Sequence, residues 1–234
     1  MNSKPPASHA AKPAKPRFAL WLALAVSLGL IGWWEFATPR APGAATPPAE
    51  DLAQPAGSEV AVLAGGCFWC TEADFDKLPG VLSTTSGYTG GKTSNPTYSE
   101  VSSHATGHAE AVRVVFDPKQ VSYAQLLAYF WKTIDPTVRD RQFCDIGTPY
   151  RTAIFAATPA QLQLAKESLA ALAQSKPFAD PIQTQIVMLD DFYPAEQEHQ
   201  NYHQNNPVRY NYYRTSCGRD ARLKQLWGTP AASQ

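Results

Sequence analysis

The sequence predicts a single α/β domain on a mixed central sheet, and three observations carry that reading. Short β-branched runs such as EVAVLAGG (59–66) and RTAIFAA (151–157) alternate with longer helix-forming stretches along the chain. GHAEAVRVVFDP (107–118) alternates strictly, with Glu110, Val112, Val114 and Phe116 on one face and Ala111, Arg113 and Val115 on the other. SYAQLLAYFWKTI (122–134) instead has helical spacing, with Leu126, Leu127, Phe130 and Ile134 in one apolar stripe behind a capping Ser122.

The domain begins near Glu59. EVAVLAGG reads as a buried strand stopped by glycines, and CTEADFDKL (70–78) follows with helical composition and early acids. VLSTTSGYTGG (81–91) is a second strand running into a glycine-rich loop, to which Tyr88 is assigned. After the alternating strand and the Ser122 helix, DPTVRDRQFCDIGTPY (135–150) reads as loop. RTAIFAA is a strand. TPAQLQLAKESLAALAQS (158–175) opens a helix with Thr158, Pro159 and Gln161 in capping order, and QTQIVML (183–189) is the final strand. From Asp190 the chain is polar and aromatic, with helix-like AEQEHQNYH (195–203) and RLKQLWG (222–228). It predicts a long, mostly irregular C-terminal wrap.

The first 58 of the 234 residues are of another kind. Residues 1–17 carry Lys4, Lys12, Lys15 and Arg17 without an acid, and Phe18 to Trp34 is a 17-residue run without a charge. At about 1.5 Å per residue such a helix nearly spans a hydrocarbon core of about 30 Å. Basic residues before it and Trp33–Trp34 at its far end predict a transmembrane anchor with a cytoplasmic N-terminus, so residues 1–37 are assigned to tail and anchor. A signal peptide cut near Ala41–Ala45 is the alternative, although Trp33, Trp34, Glu35 and Phe36 are poor cleavage residues. Residues 38–58, with five prolines, form a semi-extended linker, and residues 59–234 the folded domain.

Five of the 20 basic and three of the 20 acidic residues precede Glu59, which leaves the domain slightly acidic at 15 against 17. That balance gives no sign of the basic face that nucleic-acid binding would require. All four cysteines, Cys67, Cys70, Cys144 and Cys217, lie in the domain. Behind an anchor they would sit in the oxidising periplasm of a bacterial cell; after signal cleavage the domain would be periplasmic or secreted. Four cysteines allow three complete pairings, two structural disulfides among them, and spacing does not choose.

AGGCFWCTEADF (64–75) is the chemical signature. Strand, glycines, cysteine and helix place Cys67 at a helix N-terminus, whose free N–H groups favour a thiolate, and the glycines should expose it. Phe68 and Trp69 offer an apolar wall suited to a methyl thioether derivative. Glu110, on an apolar strand face, would be desolvated and hold its proton near neutral pH, unless as a strand-end glutamate it tilts into water; periodicity does not choose between the two. His199 and His203, four apart, could complete a zinc set with Cys67 and Cys70, but that would consume the thiols the turn presents, so no metal is assigned. Cys144 reads as a buried inert thiol, and His104 and His108 as surface or loop residues.

GCFWC, GYTGG, NPTYSEV, TGHAEAVRVVFDP, RQFCDIGTPYR, FYPAEQEHQNY and SCGRDARLKQLWG follow in one order. Together they resemble the A-type peptide methionine sulfoxide reductases over nearly all of residues 60–228, with Cys70 where the family usually has glycine. The resemblance implies thiol-dependent reduction of methionine S-sulfoxide, free and protein-bound, on Cys67, with Glu110 as general acid. It implies that Tyr98 and Tyr150 hydrogen-bond the sulfoxide oxygen, that Asp145 orients polar partners, and that Phe68 and Trp69 receive the methyl group. The sulfenic acid left on Cys67 would be resolved by Cys217, with Cys70 as the alternative or as a second relay. No bound cofactor is implied; the partners are oxidised proteins and an external dithiol of thioredoxin type. The competing reading of the C-x-x-C is a membrane-tethered thioredoxin-like thiol–disulfide oxidoreductase.

Overall fold

The structure, a computed structural model, describes Leu52 and residues 54–228. The apolar run Phe18–Trp34 and nearly all of the 38–58 linker lie outside the described residues; among the described residues no helix is long and apolar enough to cross a membrane.

Six strands form the main sheet: β1 (Glu59–Gly65), β2 (Val81–Thr89), β3 (Ala109–Phe116), β6 (Thr152–Ala156), β7 (Gln185–Met188) and β8 (Phe192–Pro194). Their order across the sheet is β7-β6-β1-β3-β2-β8, parallel only between β6 and β7, so the sheet is mixed as the sequence predicts. The hairpin β4 (Arg141–Gln142) and β5 (Asp145–Ile146) stands apart. The helices are α1 (Phe68–Phe75), α2 (Tyr98–Ser102), α3 (Tyr123–Thr133), α4 (Pro159–Ser175), α5 (Tyr202–Asn205), α6 (Pro207–Ser216) and α7 (Arg219–Trp227).

The alternation along β3 divides the interior as its sequence requires. Val112, Val114 and Phe116 join Ala61, Leu63, Leu126, Leu127, Phe130 and Ile134 in the larger core, all essentially unexposed. Ala109 and Ala111 face the other way, with Val62, Ala64, Ala153 and Phe155. The capping box predicted at Ser122 is complete: its Oγ accepts from Gln125 N at 3.3 Å, and Gln125 Oε1 accepts from Ser122 N at 2.9 Å. At α4 only half the box forms. Thr158 accepts from Gln161 N, but the Gln161 side chain bridges Ala157 N and Val60 O, tying the helix to β1.

The C-terminal stretch departs from expectation. β7 is not the last strand, because Phe192–Pro194 adds β8 to the free edge of β2. Beyond β8 the chain folds into three helices joined by tight turns rather than an irregular wrap. Gln200 extends the edge closure: its amide accepts from Ser86 N and donates to Ser86 O, each at 2.9 Å, as a neighbouring strand would. Tyr88, assigned to a loop, lies inside β2 with no exposure, its hydroxyl donating to Glu196 at 2.8 Å. His108 is likewise buried rather than at the surface; its Nδ1 accepts from Gly91 N and its Nε2 bonds Thr93 O, which fixes the glycine-rich loop.

Candidate active site

Cys67 occupies the N-cap of α1, reached through a turn that needs glycine. Gly66 has φ +85°, and a Cβ there would stand 2.5 Å from the Gln142 Cβ. Gln142 is itself pinned, accepting from Asp135 N at 3.0 Å and donating to Asp135 O at 2.6 Å. The turn is as predicted, but it does not expose the sulfur: Cys67 is only 5% exposed. The β4–β5 hairpin and α6 close over it.

Cys67, Phe68, Trp69, Tyr98, Glu110, Asp145, Tyr150 and Tyr213 line one cleft of about 280 Å³. That figure includes space open to solvent; the enclosed part is about 70 Å³, which suits one amino-acid side chain. Seven of these eight are sequence candidates, and the structure brings all seven together. Phe68 is anchored in the core beside Tyr88, Tyr98 and His199. Trp69 stands as a fixed wall, its indole stacked 3.8 Å from Tyr202 and its Nε1 donating to His199 Nδ1 at 3.2 Å. Tyr98 begins α2, where its N–H donates to Glu196 at 2.7 Å; the same carboxylate accepts from Tyr88. Tyr150 comes from the short 3-10 turn Thr148–Tyr150 after β5.

Glu110 projects from β3 into the cleft, 3% exposed, and accepts a hydrogen bond from Phe68 N at 2.9 Å. Burial pushes its carboxyl up to about 8 against the opposing Phe68 N–H, with Asp145 and Cys70 raising it further, so it carries a proton at neutral pH. Of the two readings that strand periodicity left open, the desolvated one holds. For Cys67 the expectation reverses. The free first-turn N–H that should favour its thiolate goes to Glu110 instead, and burial, then Cys70 and Glu110, push the Cys67 thiol upward. Cys70 moves the other way: a hydrogen bond from Cys67 brings it down to about 7 against burial, helped by Arg219 and Arg214. Tyr98 and Tyr150 are both raised, foremost by burial, and therefore remain hydrogen-bond donors.

Tyr213 on α6 is the site residue that sequence reasoning missed. Its hydroxyl donates to Asp145 Oδ2 and bonds the Cys67 sulfur. It stands in NYYR, a polar segment whose only signal was aromatic density. Glu196 was missed for the same reason, although it fixes Tyr98.

Cys67 and Cys70 are free and buried, whereas Cys144 and Cys217 are disulfide-bonded across 73 residues. The inert, buried Cys144 of the sequence reading is corrected by this: Cys144 is exposed on the hairpin, bonded to the residue that ends α6. The zinc set is not assembled, since His199 accepts from Trp69 and His203 Nε2 lies 3.4 Å from Asp76.

A buried thiol pair, a protonated carboxyl and convergent tyrosine hydroxyls around a small aromatic cleft define a thiol-dependent reductase of a compact polar substrate. A family profile described as peptide methionine sulfoxide reductase matches residues 59–231. A peptide methionine sulfoxide reductase MsrA from Bacillus licheniformis is 52% identical over 170 residues, covering 73% of this chain and 94% of the relative. The crystal structure of reduced Mxr1 from Saccharomyces cerevisiae superposes with TM-score 0.63 at 31% identity, over 66% of this chain and 89% of Mxr1. Methionine sulfoxide reductase A of Corynebacterium diphtheriae gives TM-score 0.60 at 38% identity, over 67% of this chain and 78% of that one. The chain belongs to the peptide methionine sulfoxide reductase family, of A type, and is an enzyme of thiol-dependent methionine sulfoxide reduction.

Proposed function

We infer that the cleft reduces methionine S-sulfoxide, free and in proteins, in one displacement at Cys67. The Cys67 thiolate attacks the sulfoxide sulfur, and the S–O oxygen takes its proton from Glu110. The attack forms a bond between the two sulfurs. The protonated oxygen then passes to the Cys67 sulfur as that bond and the substrate S–O bond break, so the substrate sulfur gains two electrons and leaves as the thioether and Cys67 is left as a sulfenic acid. Tyr98 and Tyr150 donate to the oxygen while charge builds on it. Phe68 and Trp69 hold the methyl group, and Asp145, through Tyr213, keeps that hydroxyl aimed at the reacting sulfur.

The observation that supports this course best is Glu110, sealed in the sulfur's own cleft with one oxygen fixed by Phe68 N–H. The oxygen leaving the sulfoxide needs a proton, and Glu110 stands in the cleft able to give one. The sulfenic acid closes to a disulfide with Cys70 or Cys217, and an external thioredoxin-type dithiol restores the thiols. The basic flank and apolar run at 4–34 support an inner-membrane anchor, with the domain at residues 59–234 in the periplasm.

Incubation without reductant tests the chemistry. One methionine per chain should form from the S epimer and none from the R epimer, and Cys67→Ser should abolish it. Methionine release by the Cys67→Ser protein would overturn the assignment.

A further inference from the structure

Of the four cysteines, Cys67 and Cys70 lie sealed at 5% and 2% exposure, too deep for a partner protein to reach. Neither Cys144 nor Cys217 lines the cleft, and the two sulfurs of their bond are not alike. Cys144 is exposed, in the tight turn that joins Gln142 of β4 to Asp145 of β5. Cys217 is half-buried at the C-cap of α6. The chain just beyond it is fastened down. Arg219, 1% exposed, donates to Thr133 O at 2.7 Å and Gly65 O at 3.3 Å, and its guanidinium lies 4.6 Å from the Phe143 ring.

The polar surroundings of the two sulfurs differ in sign. The Cys144 N–H donates to the Cys217 sulfur at 3.2 Å. A sulfur that accepts an N–H departs more readily as a thiolate. On the other side the neighbour is an acid: Asp145 Oδ1 lies 3.8 Å from the Cys144 sulfur, while Tyr213 holds Oδ2. Negative charge released on Cys144 would face that carboxyl. Cys217 also lines a groove whose charged residues are Asp135, Arg141 and Arg222, one cation in excess. Arg222 takes up Asp135 at 2.7 Å, and Arg141 donates to Phe143 O at 2.8 Å. In thiol–disulfide exchange the accessible sulfur is attacked and the better-stabilised one leaves. Access and charge select the same direction.

We propose that Cys144 is the sulfur at which the external dithiol enters, and that Cys217 is the thiolate it displaces. This rests on the reading that an outside dithiol supplies the electrons. Its thiolate attacks the Cys144 sulfur; a mixed disulfide forms there, the Cys144–Cys217 bond breaks, and the electron pair goes to Cys217. The second thiol of the dithiol, giving up its proton, then attacks its own partner sulfur in the mixed disulfide. Cys144 leaves, takes a proton, and the dithiol departs oxidised. Two electrons have passed to the pair, and no other reductant is required. The freed Cys217 stands one helical turn beyond Tyr213, whose hydroxyl reaches Cys67. The reducing equivalent therefore arrives on the helix that roofs the reacting sulfur.

The probe is a thioredoxin whose second active-site cysteine is replaced by serine, so that the mixed disulfide is trapped. It is mixed with the full chain carrying Cys67→Ser and Cys70→Ser, in which Cys144–Cys217 is the one disulfide the chain can form within itself. After rapid alkylation and acid quench, peptide mapping should find thioredoxin on Cys144 and the alkyl group on Cys217, favoured at least about tenfold over the reverse. 2-Mercaptoethanol, too small to depend on docking, should show the same preference. An adduct mainly on Cys217 with either thiol overturns the proposal. So does a pair that stays closed: alone if thioredoxin still sustains turnover of the unmodified chain, together with the external-dithiol reading if it does not. Methionine release by the unmodified chain without reductant is measured alongside, and its absence overturns the Cys67 chemistry whichever cysteine carries the adduct.

Discussion

Replacing Glu110 by Gln removes one proton and little else. The amide oxygen still accepts from Phe68 N, the bond that fixes the carboxyl at 2.9 Å, and the volume is unchanged. A positioned general acid contributes about 10² to 10⁴ in rate, or about 3 to 5 kcal/mol of barrier. Because Glu110 is sealed in the cleft with a carboxyl that titrates near 8, the upper part of that range applies, and the variant should be at least about 300-fold slower in forming methionine. The assay is the single-turnover burst in a Cys70→Ser background, where resolution does not intrude. Each rate is divided by the ionised fraction of Cys67, read from alkylation at the same pH. So normalised, the parent should fall about tenfold per pH unit above 8 as the acid loses its proton, and Glu110→Gln should be flat. A variant within threefold of the parent, or one that keeps the alkaline fall, would remove Glu110 from proton transfer.

Glu72 and Glu110 are both raised to about 8, in each case chiefly by burial, so the folded state binds protons that the unfolded chain releases near 4.5. Stability is therefore full below about pH 4.5 as far as these two groups act and declines by a few kcal/mol toward pH 8; urea midpoints that do not fall between pH 5.5 and 8 contradict the burial argument. Gly66→Ala forces a side chain at φ +85° against Gln142 and should cost about 2 kcal/mol or more; an unchanged denaturation midpoint would show that the turn is not the constraint described. Tyr213→Phe strips the hydroxyl from Asp145 and Cys67 and should slow the burst about tenfold, with melting within a few degrees; full activity would make Tyr213 a spectator.

What could be read from sequence was what is local. The β3 alternation placed Glu110 on the core side, and Ser122 with Gln125 marked the start of α3, because periodicity and capping involve near neighbours. α6 escaped notice because it buries only Tyr210, so no apolar stripe marks it; α7, which buries Arg219 and Leu226, was read only from Arg222 on. Tyr88 read as loop because GYTGG is loop-like by composition; the strand reaches through it only because β3 pairs with it as far as Thr89. The sign of the Cys67 shift depended on distance in the chain. A helix N-terminus favours a thiolate locally, but Tyr213, Glu110 and the hairpin arrive from far off and exclude the water that would support it. The Cys144–Cys217 pairing joins segments 73 residues apart, and nothing in either segment names the other.

The strap from Phe192 to Trp227 carries a consequence for biogenesis. It supplies the last strand of the sheet, the tyrosine stacked on Trp69, the phenol beside Cys67 and the arginine threaded under Gly65. A chain emerging from its N-terminus therefore exposes a reactive sulfur long before any roof exists for it. Until the final helix docks, that thiol faces solvent unguarded by its own acid cleft, and an early stop codon would yield a protein with its nucleophile but no active site.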